Sequence, residues 1–265
     1  MFRIRLAVAS TAFAAAAAIA VTACSSSPAP HSPPGPAASG ATHPPAAATT
    51  RQTALACAGL VPFGQSVLTY PGGDSGSTPS AAQLRRWAAI AAPRLQVLAA
   101  NLPVSLDPDV ATVRAMLTTI SNGAPVDPTP AQYAALTSFD QWGHGACGFT
   151  RLDVTNTATG LTGMPSALPA GTVSVSFTNR APAAKAGFIL LVGRVRPGAH
   201  YTLGAIRSNK VDLTRIADIV VAAQPDRGRP AYATVRLTSG DYVVTSPIGS
   251  PPNFSGSAAS EFHVR

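Results

Sequence analysis

Leu168-Pro169-Ala170-Gly171-Thr172-Val173-Ser174-Val175-Ser176-Phe177-Thr178-Asn179 decides the fold of the second half of the chain. Val173, Val175 and Phe177 alternate with Thr172, Ser174, Ser176 and Thr178. A period of two puts apolar side chains on one face of a strand and hydroxyls on the other. The same alternation recurs at Leu152 and Val154, at Ala233, Val235 and Leu237, at Tyr242 and Val244, and at Phe262 and Val264. Phe188–Val195 is almost continuously apolar and reads as a central strand. Pro169-Ala170-Gly171, Pro197-Gly198 and Ser239-Gly240-Asp241 supply turns between them. Residues 149–265 therefore read as an antiparallel β-sandwich. One helical interruption is expected over Asp212–Ala223, carried by Leu213, Ile216, Ile219 and Val220.

Upstream the period changes to that of a helix. Leu84, Trp87, Ala91, Leu95, Leu98 and Leu102 recur at steps of three and four, with Ser80 placed to cap the start. Pro93 falls inside this run and predicts a kink or a break. Asp107-Pro108 opens a second helix, with Val110, Val113, Leu117 and Ile120 on one face, and Asn122-Gly123 closes it. Thr129-Pro130 opens a third, carrying Tyr133, Leu136 and Phe139 or Asp140. Residues 54–148 thus read as a small helical layer. The expected class is α+β, helices first and sandwich second.

The chain begins with a basic Phe2-Arg3-Ile4-Arg5 and an alanine-rich apolar run from Leu6 to Val21. That run is short of the ~20 residues a spanning helix needs, and its small-residue exit fits a cleaved secretory signal. Val21-Thr22-Ala23-Cys24 resembles the bacterial lipobox. The resemblance implies removal of residues 1–23 and diacylglycerol on the Cys24 sulfur, so that the protein is held on the extracytoplasmic face of the cell membrane. Residues 24–53 are rich in Pro, Ala, Ser and Thr and read as a disordered tether. His31 and His43 within it are read as chance occurrences rather than a metal site.

Charged residues are only 11% of the chain, and the formal charge is +8. It falls by two when Arg3 and Arg5 leave with the signal. A modest basic surface suits an anionic membrane or cell wall. No Lys/Arg run interleaved with aromatics points to nucleic acid. With Cys24 lipidated, Cys57 and Cys147 remain in an oxidising space. A Cys57–Cys147 disulfide is the expected pairing, with a metal pair or free thiols as the alternatives.

Leu168–Asn179, the apolar strand after it and Leu237-Thr238-Ser239-Gly240-Asp241-Tyr242-Val243-Val244 resemble a cupredoxin domain. Together with a helical segment ending at Cys147-Gly148, the arrangement resembles actinobacterial envelope lipoproteins with a cupredoxin-like C-terminal half. A copper-bearing cupredoxin implies two His, one Cys and usually a Met at set places. The first His would fall in Ala184-Lys185-Ala186-Gly187-Phe188, which has none. The Cys would fall on Ser246. The second His and the Met would fall in a loop over Pro247–Ser260, which holds neither. The expectation is the fold without type-1 copper, and no metal or cofactor is assigned.

Gly73-Asp74-Ser75-Gly76 resembles the serine of chymotrypsin-like proteases, but its surroundings read as loop and helix. No Gly-x-Ser-x-Gly elbow and no placed carboxylate pair occurs. His144, in Trp142-Gly143-His144-Gly145-Ala146-Cys147, is expected at the junction of the two halves. His200 is expected in solvent, and His263 off the core face of the last strand. The expected function is that of a non-enzymatic, lipid-anchored envelope protein binding a partner protein or small ligand. The alternative is a metal or redox protein that keeps a cupredoxin role with other ligands.

Overall fold

The computed structural model describes residues 50–71, 78–225, 228–250 and 253–265. Cys24, the proposed signal, His31, His43 and Gly73–Gly76 lie outside the described residues. Four helices come first: α1 (Thr50–Leu68), α2 (Ala81–Ala99), α3 (Asp107–Ser121) and α4 (Pro130–Ala146). Ser80 and Thr129 each cap the following helix and close a reciprocal box with Gln83 and Gln132. The expected three helices are thus four. The tether boundary at residue 53 is also corrected, since α1 already runs at Thr50. Ala56, Leu60 and Phe63 give α1 its buried face, and a nucleated helix extends over flanking residues at small cost.

Pro93 does not break α2, which is continuous. The bond that Pro93 forfeits belongs to the carbonyl of Ala89, which lies on the exposed side of the helix, where water can serve it. Gly59 of α1 sits at the backbone of Leu98 of α2, where a Cβ would come within 3.2 Å of the Leu98 Cα. Trp87 donates from Nε1 to the Ser66 carbonyl at 2.7 Å. Leu60, Leu84, Leu98, Val113, Ile120 and Phe139 form the core of the layer. Cys57 and Cys147 are disulfide-bonded, with Cα atoms 5.5 Å apart, and tie α1 to the end of α4.

The sandwich comprises β1 (Thr150–Thr157), β2 (Gly160–Thr162), β3 (Ala167–Leu168), β4 (Gly171–Asn179), β5 (Leu190–Val195), β6 (Ala217–Ala223), β7 (Ala231–Leu237), β8 (Gly240–Ser250) and β9 (Asn253–Val264). Two short helices, α5 (Leu203–Arg207) and α6 (Leu213–Ile216), lie between β5 and β6. One sheet has the order β2-β1-β4-β7 and the other β3-β9-β8-β5-β6. The expected antiparallel sandwich is corrected to a mixed one. β1 pairs parallel to β4, and β3 parallel to β9. The chain leaves β1 through the β2 hairpin, visits the other sheet as β3, and returns to β4 in its original direction, the kind of crossover a parallel pair requires.

Asp212–Ala223 is corrected as well. Only Leu213–Ile216 is helical, and Ala217-Asp218-Ile219-Val220-Val221-Ala222-Ala223 is edge strand β6, paired with β5. Its β-branched residues suit a pleated, half-buried surface better than a helix. The loop expected over Pro247–Ser260 is largely strand, because β8 and β9 form one long hairpin. Tyr242 is fully buried, stacks on Phe262 at 5.2 Å, and donates from its hydroxyl to the Thr238 carbonyl at 2.8 Å, pinning the turn into β8. A satellite core of Ile206, Leu213, Ile216, Val243 and Ala259 fixes α5 and α6 on the outer face of the larger sheet.

Candidate functional site

On the hydroxyl face of β4, Ser174 is buried, while Thr172, Ser176 and Thr178 are half-buried. α4 packs against β4 and β7, and α1 against β7, so helices cover part of the outer face of the smaller sheet, while Arg151 and Asp153 of β1 stay exposed. The register places Ser174 between Arg151 and Thr234, and Ser176 between Asp153 and Tyr232. Polar groups so covered need partners. His144, near the end of α4, supplies one. Its Nδ1 lies 2.9 Å from Ser174 Oγ and its Nε2 3.4 Å from Asp153 Oδ1. Ser176 donates to the same Asp153 oxygen. The imidazole also lies 5.3 Å from the ring of Tyr232, and Arg151 Nη2 donates to the His144 carbonyl at 3.0 Å, closing the helix end. Burial holds His144 below the ordinary histidine pKa; Asp153 opposes that and Arg151 adds to it.

One turn earlier on the same face of α4, Asp140 is largely buried over β7. Burial raises its carboxyl to about 7, against the opposing pull of the Thr234 amide and hydroxyl. The Thr234 hydroxyl faces the carboxyl without completing a well-formed hydrogen bond to it.

Ser174, His144 and Asp153 share the residue types of a hydrolytic triad, but the serine is 0% exposed. A nucleophile must reach a carbonyl carbon together with oxyanion donors. Ser174 is sealed beneath α4, so the relay reads as a fastening between helix and sheet. His144 therefore stands at the junction, as its sequence position suggests. His200 is exposed, and His263 points outward to Asp241 with Nδ1 2.7 Å from Oδ1. Sequence reasoning missed Asp140 as a site residue. The available signal was its spacing of four from His144, which puts both on one helical face.

Inside the sandwich, Ser246 of β8 is 0% exposed and its Oγ has no partner. A Cβ at Gly187 would overlap that oxygen. Asn156 is buried beside them and donates from Nδ2 to Asn179 Oδ1 at 2.9 Å and to the Lys185 carbonyl at 3.0 Å, which leaves its own Oδ1 unpartnered. At the end of the sandwich, a cleft of about 420 Å³ is bordered by Arg194, Arg196, Tyr201, Asp218 and Asp241. Arg196 is held by Asp218 at 2.7 Å and Arg194 by the Ser239 carbonyl at 2.8 Å.

Among solved structures, the chain is similar to a blue copper protein. That structure is auracyanin A from the green thermophilic photosynthetic bacterium Chloroflexus aurantiacus, with 13% identity and a TM-score of 0.30, the match covering 44% of this chain and 100% of that one. No protein-family model matches the chain, and no curated protein matches it in sequence. A blue-copper centre takes two imidazoles and a thiolate. Among the described residues, the side chains around Gly187 and Ser246 are two amides, Asn156 and Asn179, and a hydroxyl, which do not fit that centre, and Cys57 and Cys147 are bonded to each other.

The orphaned hydroxyl has a measurable consequence. Leaving a buried polar group unpaired costs about 1–3 kcal/mol. Ser246→Ala is therefore expected to raise unfolding free energy by about 1 kcal/mol in a urea titration. Gly187→Ala is expected to cost about 1–3 kcal/mol through overpacking. In the Ser246→Ala background most of that cost should disappear, because the overlapped oxygen is gone. Strict additivity of the two changes would show that they do not meet.

Proposed function

We propose that this protein is an exported lipoprotein, anchored through Cys24, that binds a protein or small ligand in the cell envelope without catalysing a reaction. The observation that carries the reading is the Cys57–Cys147 disulfide, whose Cα atoms are 5.5 Å apart. Structural disulfides persist in oxidising compartments, and the lipobox-like Val21-Thr22-Ala23-Cys24 supplies a route to one. The sandwich is read as cupredoxin-like in ancestry and used as a binding frame, its end cleft offering charged and aromatic groups to a polar ligand. The sealed Ser174 supports binding over hydrolysis.

Anchoring is tested by Cys24→Ser. Two acyl chains hold a protein stably on a bilayer where one is marginal. The parent is expected in the membrane fraction with an acyl-shifted mass, and the variant outside that fraction and without the added mass. A variant that remains membrane-bound with its export intact would reject the anchor. Chemical cross-linking on intact cells then identifies what the anchored protein holds.

A further inference from the structure

The large apolar side chains left exposed among the described residues are Leu55, Leu68, Ile90, Val97, Val104 and Tyr133, and all lie in the helical half. Ile90 and Val97 are 54% and 60% exposed, Leu55 49% and Val104 82%. Arg86, Ile90, Arg94 and Val97 follow one another on α2 at steps of four, four and three, which makes one helical face. Arg51 and Leu55 share a face of α1 at a step of four. The Arg94 guanidinium crosses from α2 to the Pro62 carbonyl at 3.0 Å and to Ser66 Oγ at 2.8 Å, so the two faces lie side by side. α1 and α2 carry Arg51, Arg85, Arg86 and Arg94 and no Asp or Glu.

We infer that this face of α1 and α2 docks on an anionic lipid bilayer. Apolar side chains flanked by arginines, with no acid to repel the surface, have the chemistry of an interfacial membrane contact. A second copy of the chain would bring arginine against arginine across a two-fold axis, since such an interface uses the same patch twice. The bilayer supplies negative charge and an apolar boundary together. The inference deepens the lipid-anchor reading and rests on it for orientation: the segment from Cys24 joins the fold at Thr50, one residue before Arg51. That segment is too short to hold the fold beyond roughly 90 Å from the anchor. The face contact would then add to lipid attachment at the same surface.

The test uses the chain from Ser25 onward, which lacks Cys24 and retains all three cores and the disulfide. Its success or failure is thus separate from that of lipidation. Sedimentation with phosphatidylcholine vesicles is compared with vesicles in which phosphatidylglycerol replaces a third of the lipid. Binding to the anionic vesicles only, weakened by salt, is expected. Arg51→Gln with Arg86→Gln should lower that partition by roughly tenfold or more. Ile90→Ser with Val97→Ser should lower it independently. All four positions are exposed, and an unchanged thermal midpoint confirms folding. Equal binding to both vesicle types, no binding to either, or undiminished binding by both variants would overturn the proposal. So would concentration-dependent self-association that Ile90→Ser with Val97→Ser abolishes, which would assign the face to a second copy.

Discussion

A chain carrying both Cys57→Ala and Cys147→Ala is expected to lose roughly 4–5 kcal/mol of unfolding free energy, judged by the entropy of the loop that the disulfide closes. The two residues are 90 positions apart in sequence. The loop they close contains the whole helical layer from the middle of α1 to the end of α4. Without the bridge, α1 is retained by its packing on α2, α4, β6 and β7 and by the hydrogen bonds from Trp87 and Arg94. Most domains hold 5–15 kcal/mol in total, so the loss is a large share. Urea titration of parent and variant should show a lower midpoint, and parent in reductant should approach the variant. The first region to become protease-sensitive should be α1, whose release uncovers Leu60 and Phe63. A difference below 1 kcal/mol, with α1 equally protected, would mean that packing alone holds the first helix.

Two periodicities made most of the architecture readable. Val173, Val175 and Phe177 announce β4, and all are buried between the sheets. Leu84, Trp87, Ala91, Leu95 and Leu98 announce α2, and all are buried in the helical core. α1 escaped as a separate helix because its apolar residues are diluted by Ala and Gly, and because Gly59 is chosen for close approach to Leu98 rather than for helix propensity. β6 was misread because Leu213, Ile216 and Val220 fit a helical period for two turns, and only pairing with β5 decides their state. The polar junction was hidden for a different reason. Alternation tells which residues leave the core but not what covers them. Ser174 looks like a solvent-facing hydroxyl until α4 is laid over it. Parallel pairing was hidden likewise, since register and direction arise from the path of β3 rather than from any local pattern.

Asp140→Asn is expected to make the protein more stable at pH 8 and to leave it unchanged near pH 4. Burial raises the Asp140 carboxyl in the folded protein to about 7, from an ordinary 3.8. Between these values the folded chain keeps a proton that the unfolded chain has released. Stability then falls as pH rises through that window. Its contribution is complete below about pH 4 and gone once the pH passes the folded value. About three pKa units correspond to on the order of 4 kcal/mol at most. His144 has the opposite sign. Its folded pKa is lowered, so acid protonates the unfolded chain first and stability falls as pH drops below the ordinary histidine value. The two groups sit one turn apart on α4 and oppose each other across the same range, so the parent profile should be flatter than either alone. Asparagine retains an oxygen for the Thr234 amide and carries no charge, which leaves the His144 slope bare. Urea titrations at pH 4.5, 6 and 8 should therefore show variant and parent diverging with rising pH, the variant gaining a few kcal/mol at the alkaline end. Every other titrating group is common to the two chains and cancels in the comparison. Parallel profiles would mean that the Asp140 carboxyl is ionised in the folded protein at ordinary pH, which would leave His144 as the group linking the helix–sheet junction to pH.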